Sequence, residues 1–259
     1  MEVIVRPDRE QAVSLVAEII LDRLRAKPEI VLGLATGRTM TRVYDLLAQS
    51  AVSFACVTTF NLDEYVGLSA EHPGSFARYM RDHLFEKVDI DPARAHLPDG
   101  AAADLRKAAH DFEELIKKAG GIDLQLLGIG ENGHIGFNEP ASALMSRTRD
   151  KTLTPTTRAQ NAAFFCGDPN MVPPRALTMG IGTILDAKEL ILLATGEGKA
   201  GIVARAVEGP ITASVSASAL QLHPNCKVVL DEDAAGSLKF RDYYDFVFEN
   251  EPEWAKYRR

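Results

Sequence analysis

The chain has 259 residues, 46% of them hydrophobic and 25% charged, and a formal net charge of −7. That is ordinary globular composition, and a chain this long buries roughly three quarters of its unfolded surface without staples; the acidic balance argues against a nucleic-acid partner, which needs a basic face, but leaves room for local cations around a phosphorylated small molecule. Cys56, Cys166 and Cys226 are far apart and form no CxxC pair, so neither a zinc site nor a disulfide framework is expected, and no apolar run approaches the ~18 residues of a membrane span.

Strand and helix signals alternate along the chain. Residues 1–8 lack a basic region followed by an apolar stretch, so no signal peptide is read and a cytoplasmic protein with free thiols is expected. Residues 2–5 are a short β-branched run. Pro7 and Asp8 then open a segment with Ala12, Val13, Val16, Ile19, Ile20 and Leu24 at helical spacing. Residues 30–34 read as a buried strand, 36–39 as a polar turn, and a helix follows through Val43, Leu46 and Leu47. The next strand is expected over 54–60, helices over 75–86 and 103–118, and Gly120-Gly121 ends the second of these. Further strands are expected over 122–129, 176–179, 190–194 and 226–230, with helices over 199–207 and part of 242–248.

Strands spaced by helices imply βαβ units, a mainly parallel sheet covered by helices on both faces, and one domain over 1–259. Ligands of such sheets sit outside the carboxyl ends of the strands. Four chemically loaded turns fall there: 36–39, 61–65, 130–139 and 195–199.

Gly128, Gly130 and Gly133 match GxGxxG after a strand, a pattern shared with dinucleotide sites. A dinucleotide fold continues into a helix from the third glycine, whereas Gly136 and Pro140 interrupt one here. The other reading is catalytic. The loop holds His134, with a side chain that titrates near neutral pH, Glu139 five residues on, and Asn132 and Asn138. Such a pair suits proton transfer, or it is a loop histidine held by a carboxylate for stability. Asp63-Glu64 is either a solvated strand end or a carboxylate base. Thr36-Gly37-Arg38-Thr39 opens a helix, where backbone N–H groups attract anions and an arginine can grip two oxygens. Lys199 lies in a similar turn.

These segments resemble the glucosamine-6-phosphate deaminase family over nearly the whole chain. The strongest pieces are Thr59-Phe-Asn-Leu-Asp-Glu-Tyr-Val-Gly-Leu68, Gly130-Glu-Asn-Gly-His-Ile-Gly-Phe-Asn-Glu-Pro140, Ser146-Arg-Thr-Arg149 and Leu220-Gln-Leu-His-Pro224. The resemblance implies a Rossmann-like α/β fold and conversion of glucosamine 6-phosphate to fructose 6-phosphate and ammonia, with no cofactor and no metal. It implies Asp63 as the enolising base, His134 as the ring-opening group, Asn132 and Glu139 as the residues orienting that histidine, and Glu64 as a nearby helper. Thr36, Gly37, Arg38, Thr39 and Lys199 fall at its phosphate-binding positions. Ser142, Arg149, Lys151 and Thr152 match positions of an effector site for N-acetylglucosamine 6-phosphate, and Tyr243 or Tyr244 matches its tyrosine. A homo-oligomer is implied, hexameric in some members.

Three positions depart from the family pattern. Asn132 stands where some members carry Asp, Arg38 where Gly is common, and Ala163 where a phosphate-binding arginine is expected. The expectation is that Glu139 supplies the charge beside His134 and that Arg38 replaces the cation missing at 163. Two rival functions follow from the same residues. A 6-phosphogluconolactonase needs no enolising base, so Asp63 favours the deaminase. A sugar-phosphate-sensing regulator would need a DNA-binding module, whereas this chain opens on its first strand.

Overall fold

The computed structural model describes residues 1–258. Strand β1 (Glu2–Arg6) leads into α1 (Arg9–Ala26), β2 (Val31–Leu34) into α2 (Arg38–Gln49), and β3 (Thr58–Asn61) into the short β4 (Asp63–Tyr65). Then come α3 (Phe76–Met80), extended by a π-helical turn over Arg81–Phe85, β5 (Ala95–His96), α4 (Leu105–Lys118) and β6 (Leu124–Leu127). The chain continues through β7 (Arg149–Thr152), α5 (Pro155–Asn161), β8 (Arg175–Thr178), α6 (Ile181–Leu185) and β9 (Leu190–Ala194). It ends with α7 (Ala200–Val207), β10 (Cys226–Asp231), α8 (Glu232–Ala235) and α9 (Arg241–Asn250). No helix among the described residues is long and apolar enough to cross a membrane.

Seven strands form one sheet in the order β1-β10-β9-β6-β2-β3-β5, every pair parallel. All positions of β2, β6, β9 and β10 are buried, as strands covered on both faces must be. The sequence rules for helix starts hold in detail. Asp8 caps α1 by accepting from the Gln11 N–H at 2.8 Å, and Asp104 caps α4, so that helix starts at Leu105 rather than at 103.

Four expectations are corrected. Residues 54–57 form a turn closed by Val57 N–H to Phe54 O at 2.9 Å, so the strand expected over 54–60 is only Thr58–Asn61, although Phe54 and Val57 are core residues. Residues 63–65 are a strand rather than a turn. The strand expected over 176–179 lies outside the parallel sheet: β8 pairs antiparallel with β4 and β7 in a separate three-stranded sheet. The helix expected over 75–86 is a single α-turn followed by π geometry. The second sheet encloses its own aromatic cluster of Tyr65, Phe76, Phe137 and Phe165, and it sets β4 beside the loop that carries His134.

Far from that loop, the C-terminal segment Pro252–Tyr257 seals the start of β1. Trp254 is buried, its Nε1 donates to Glu2 Oε2 at 2.8 Å, and the Lys227 ammonium lies 5.7 Å over its ring.

In the middle of the large sheet, Gly33 on β2 faces Gln125 on β6, and a Cβ at 33 would stand 1.9 Å from Gln125 Oε1. Gln125 is fully enclosed, with its Nε2 bonded to Leu126 O at 2.8 Å, so it has nowhere to retreat. Overpacking of this kind costs about 1–3 kcal/mol. Gly33→Ala is therefore expected to lower the melting temperature by several degrees in calorimetry, and Gln125→Ala in the same protein to regain part of it. A Gly33→Ala protein as stable as the original would contradict the close fit.

Candidate active site

The carboxyl ends of β2, β3, β6 and β9 open into one cleft of about 310 Å³. This is the edge at which open α/β sheets bind ligands. Residues from all four loaded turns line it: Thr36 to Thr39, Leu62 and Asp63, Gly128 to Glu131 with His134 and Gly136, and Thr195 with Lys199.

One end is cationic. Helix α2 begins at Arg38 with Gly37 as its N-cap, and no side chain caps it, which leaves its first N–H groups and the positive end of its dipole facing the cleft. The Gly37 carbonyl is fixed from behind by the Tyr79 hydroxyl at 2.8 Å. Lys199 donates from Nζ to Ile129 O at 2.9 Å. Burial lowers its pKa, Glu131 raises it, and the Arg38 charge lowers it. Arg38 and Lys199 thus repel each other, and an anion between them relieves that repulsion. Ala163 is exposed and does not line the cleft.

The other end holds the histidine loop. His134 Nδ1 lies 3.8 Å from Glu139 Oε2 and 3.5 Å from Thr157 Oγ1. Glu139 also accepts from Asn132 Nδ2 at 2.7 Å and from the Thr154 N–H at 3.0 Å. Burial alone would raise the Glu139 pKa; His134, then the Thr154 N–H and Thr157, overcome this and bring it down to about 2. Asn132 does not touch the imidazole. It bonds the Glu139 carboxylate, and its Oδ1 accepts from the His134 backbone N–H at 3.2 Å, so it orients the histidine at one remove. Two glycines are required here for different reasons. A Cβ on Gly130 would stand 2.3 Å from the His134 ring, and Gly136 holds φ +54°, where a Cβ would also stand 3.1 Å from Thr178 Oγ1.

Asp63 is 5% exposed. Burial, and then the adjacent Glu64 charge, push its pKa up to about 8; the Phe137 N–H, bonded at 3.0 Å to Thr178 Oγ1, gives little relief. Glu64, the next residue, points to the other side of β4. Its carboxylate accepts from the backbone N–H groups of Tyr65, Phe76 and Ala77 at 2.8, 3.0 and 2.8 Å, binding the start of α3. Burial raises its pKa, and these three donors pull against it. Glu64 does not line the cleft, which corrects the expectation of a nearby helper.

None of Ser142, Arg149, Lys151 and Thr152 lines this cleft either. Arg149, on β7, donates to Asn138 Oδ1 at 2.6 Å, and Asn138 Nδ2 in turn holds the carbonyls of Ile135 and Met179 at 2.8 Å each. Tyr243 and Tyr244 stand on α9 beside β1, with the Tyr244 hydroxyl 3.2 Å from Glu208. The sequence reading missed α5, whose Gln160 and Asn161 line the cleft together with Phe164 just beyond it. Its signal was present: Thr154-Pro155 places a capping threonine before a proline at the first helical position.

The model of the family of glucosamine-6-phosphate isomerases and 6-phosphogluconolactonase matches residues 9–229. A glucosamine-6-phosphate deaminase of Streptomyces coelicolor is 50% identical over 258 residues, covering 98% of this chain and 99% of that protein. One from Rhodopirellula baltica is 53% identical over 245 residues, 93% and 97% of the two chains. The solved structure of a monomeric glucosamine-6-phosphate deaminase matches with a TM-score of 0.89 at 43% identity, over 92% of this chain and all of that one. A 6-phosphogluconolactonase from Trypanosoma cruzi shares the fold at 20% identity, with a TM-score of 0.75 over 92% and 97% of the chains.

The raised pKa of Asp63 makes it a stability liability. Its carboxyl keeps a proton in the folded state between about pH 4 and pH 8, where the unfolded chain has lost it. The folded state then binds more protons than the unfolded one, so this group's contribution falls as pH rises through that window and stays unfavourable above it. Asp63→Asn should therefore melt higher than the original protein at pH 8, with the gap closing toward pH 4. Equal melting curves at both pH values would show that the carboxyl is not desolvated.

Proposed function

The chain belongs to the family of glucosamine-6-phosphate isomerases and 6-phosphogluconolactonase, and within it we propose that the reaction is the isomerisation and hydrolytic deamination of glucosamine 6-phosphate to fructose 6-phosphate and ammonia. The observation that carries this reading is a buried carboxyl with a pKa near 8 sharing one cleft with a histidine–carboxylate pair and a two-cation anchor. Lactone hydrolysis needs no base that moves a proton between carbons.

In the proposed mechanism the phosphate docks on the N-terminus of α2, between Arg38 and Lys199, with Thr36, Gly37 and Thr39 donating. His134, its ring turned by Glu139 and that carboxylate by Asn132, moves a proton between the ring oxygen and the hydroxyl of carbon 1, opening the pyranose. Asp63 then takes the proton from carbon 2, which the new aldehyde has acidified, while the oxygen on carbon 1 gains the proton that the ammonium on carbon 2 gives up; the resulting enaminol takes the Asp63 proton back at carbon 1. The double bond thereby shifts to carbon 2 and its nitrogen. Water adds to carbon 2, ammonia leaves, and the ketose remains. A carboxyl with a pKa near 8 suits this exchange, because it both accepts and returns a proton close to working pH.

The proposal extends to a cytoplasmic, homo-oligomeric enzyme of amino-sugar breakdown. Free thiols at Cys56, Cys166 and Cys226 are in keeping with a reducing compartment. Phe240, Tyr243 and Phe246, 59 to 65% exposed along α9, offer an apolar face to a second subunit. The effector assignment to Ser142, Arg149, Lys151 and Thr152 belongs to the same proposal; the Arg149–Asn138 contact offers a route from β7 to the catalytic loop.

Ammonia release from glucosamine 6-phosphate tests the activity, with 6-phosphogluconolactone as the rival substrate. Asp63→Asn is expected to reduce kcat by at least about 10²-fold, the scale of one general base. In the original enzyme kcat/KM should rise with pH along a limb near 8, the free-enzyme pKa of Asp63. Full turnover by Asp63→Asn would break the mechanism. Arg38→Gly, if Arg38 stands in for the cation absent at Ala163, should raise KM about tenfold, the scale of one charged hydrogen bond, with kcat little changed. An unaltered KM would remove Arg38 from the anchor.

A further inference from the structure

Helix α5 runs across the cleft from the histidine end toward the anchor end. Its first turn is tied to the acid–base pair: Thr154 caps the helix and donates its N–H to Glu139 Oε1, while Thr157 Oγ1 lies 3.5 Å from His134 Nδ1. Past its last turn, Phe164 packs edge-on against Tyr79 at 6.4 Å, and the Tyr79 hydroxyl holds the Gly37 carbonyl at the start of α2. Positions 157, 160 and 161 are three and four residues apart and so share one face of α5. Gln160 stands on that face between the two ends and lines the cleft.

Its Nε2 is enclosed and has no hydrogen-bond partner among the described residues. Asn161 beside it is different, since its Nδ2 already donates to Thr157 O at 2.9 Å. An enclosed donor left unpaired costs folding free energy, and on this face nothing in the protein fills it. Gln160 as a residue is only partly enclosed. The last torsion of a glutamine is broad and two-fold, so the amide of this cleft-lining residue is free to reorient its NH₂ toward a ligand oxygen.

We propose that Gln160 is a substrate-binding residue that donates a hydrogen bond to an oxygen of the sugar phosphate, at a point along the sugar between His134 and the Arg38–Lys199 anchor. The inference rests on the function proposed above and adds a neutral reader to its charged anchor. A neutral amide binds a hydroxyl or phosphate oxygen in the ground state about as well as in the transition state. Its loss therefore falls on KM rather than on kcat.

Gln160→Leu keeps the size and removes the donor. With glucosamine 6-phosphate as substrate, its KM should rise about three- to tenfold, the worth of one neutral hydrogen bond, with kcat within about twofold. In the same protein without ligand the melting temperature should stay level or rise, because an unpaired enclosed donor has gone. Gln160→Glu, which replaces the donor by a negative acceptor beside an anionic substrate, should bind more weakly than Gln160→Leu. An unchanged KM in Gln160→Leu overturns the proposal, and so does a rise in KM accompanied by a clear fall in melting temperature, which marks a structural role. If the original protein releases no ammonia, the proposed function fails by itself. Calorimetric binding of fructose 6-phosphate to the original protein and to Gln160→Leu then reads the contact directly, and equal affinities, or no binding by either, overturn it.

Discussion

The Glu139 carboxylate accepts hydrogen bonds from the Asn132 side chain and the Thr154 backbone, and it lies 3.8 Å from His134 Nδ1. Two separate pieces of chain meet on that one group: the glycine loop after β6, which supplies both Asn132 and His134, and the strand-to-helix junction after β7. A carboxylate so enclosed is tolerable only with donors on most of its lone pairs, and each donor it collects fixes another element. The glycine loop, the start of α5 and the imidazole plane are therefore set together. Asn132 matters here as a strut for the carboxylate rather than as a ligand of the ring.

Asp63 obeys the opposite logic. Its neighbour Glu64 is as deeply placed, yet three backbone N–H groups satisfy it and it organises α3. Asp63 has no such set and keeps its proton to about pH 8. One strand thus carries two adjacent carboxyls, one fully bonded and structural, the other left poor in donors and with its pKa pushed up. Perturbed groups of this kind gather where chemistry occurs, and the folded state bears the cost.

Much of this architecture was legible in the sequence because the large sheet announces itself. β2 and β9 are apolar throughout and β6 is broken only by Gln125, and each ends on a turn whose glycines, histidine or cations stand out. The second sheet was not legible in the same way. Its strands are the three residues Asp63–Tyr65, the polar Arg149–Thr152 and Arg175–Thr178, and no period of two survives in segments so short and charged. Which of Asp63 and Glu64 faces the cleft follows from the antiparallel pairing of β4 with β8, a contact between residues more than a hundred positions apart. The inward turn of Arg149 onto Asn138 was hidden because no strand signal marks β7 in the sequence. Helix α5 was readable from Thr154-Pro155, but its role depended on where Glu139 placed it.

The Trp254 seam gives the protein a built-in optical probe with a defined address. The chain holds one tryptophan. Its indole is buried, donates to Glu2 at the amino end of edge strand β1, and lies under the Lys227 ammonium. The cleft opens at the carboxyl ends of the inner strands, on the opposite side of the sheet's length. Tryptophan emission therefore reports the docking of the C-terminal segment and the local charge around Lys227, not the occupancy of the cleft. Any spectral response to a sugar phosphate would have crossed the whole sheet to reach it.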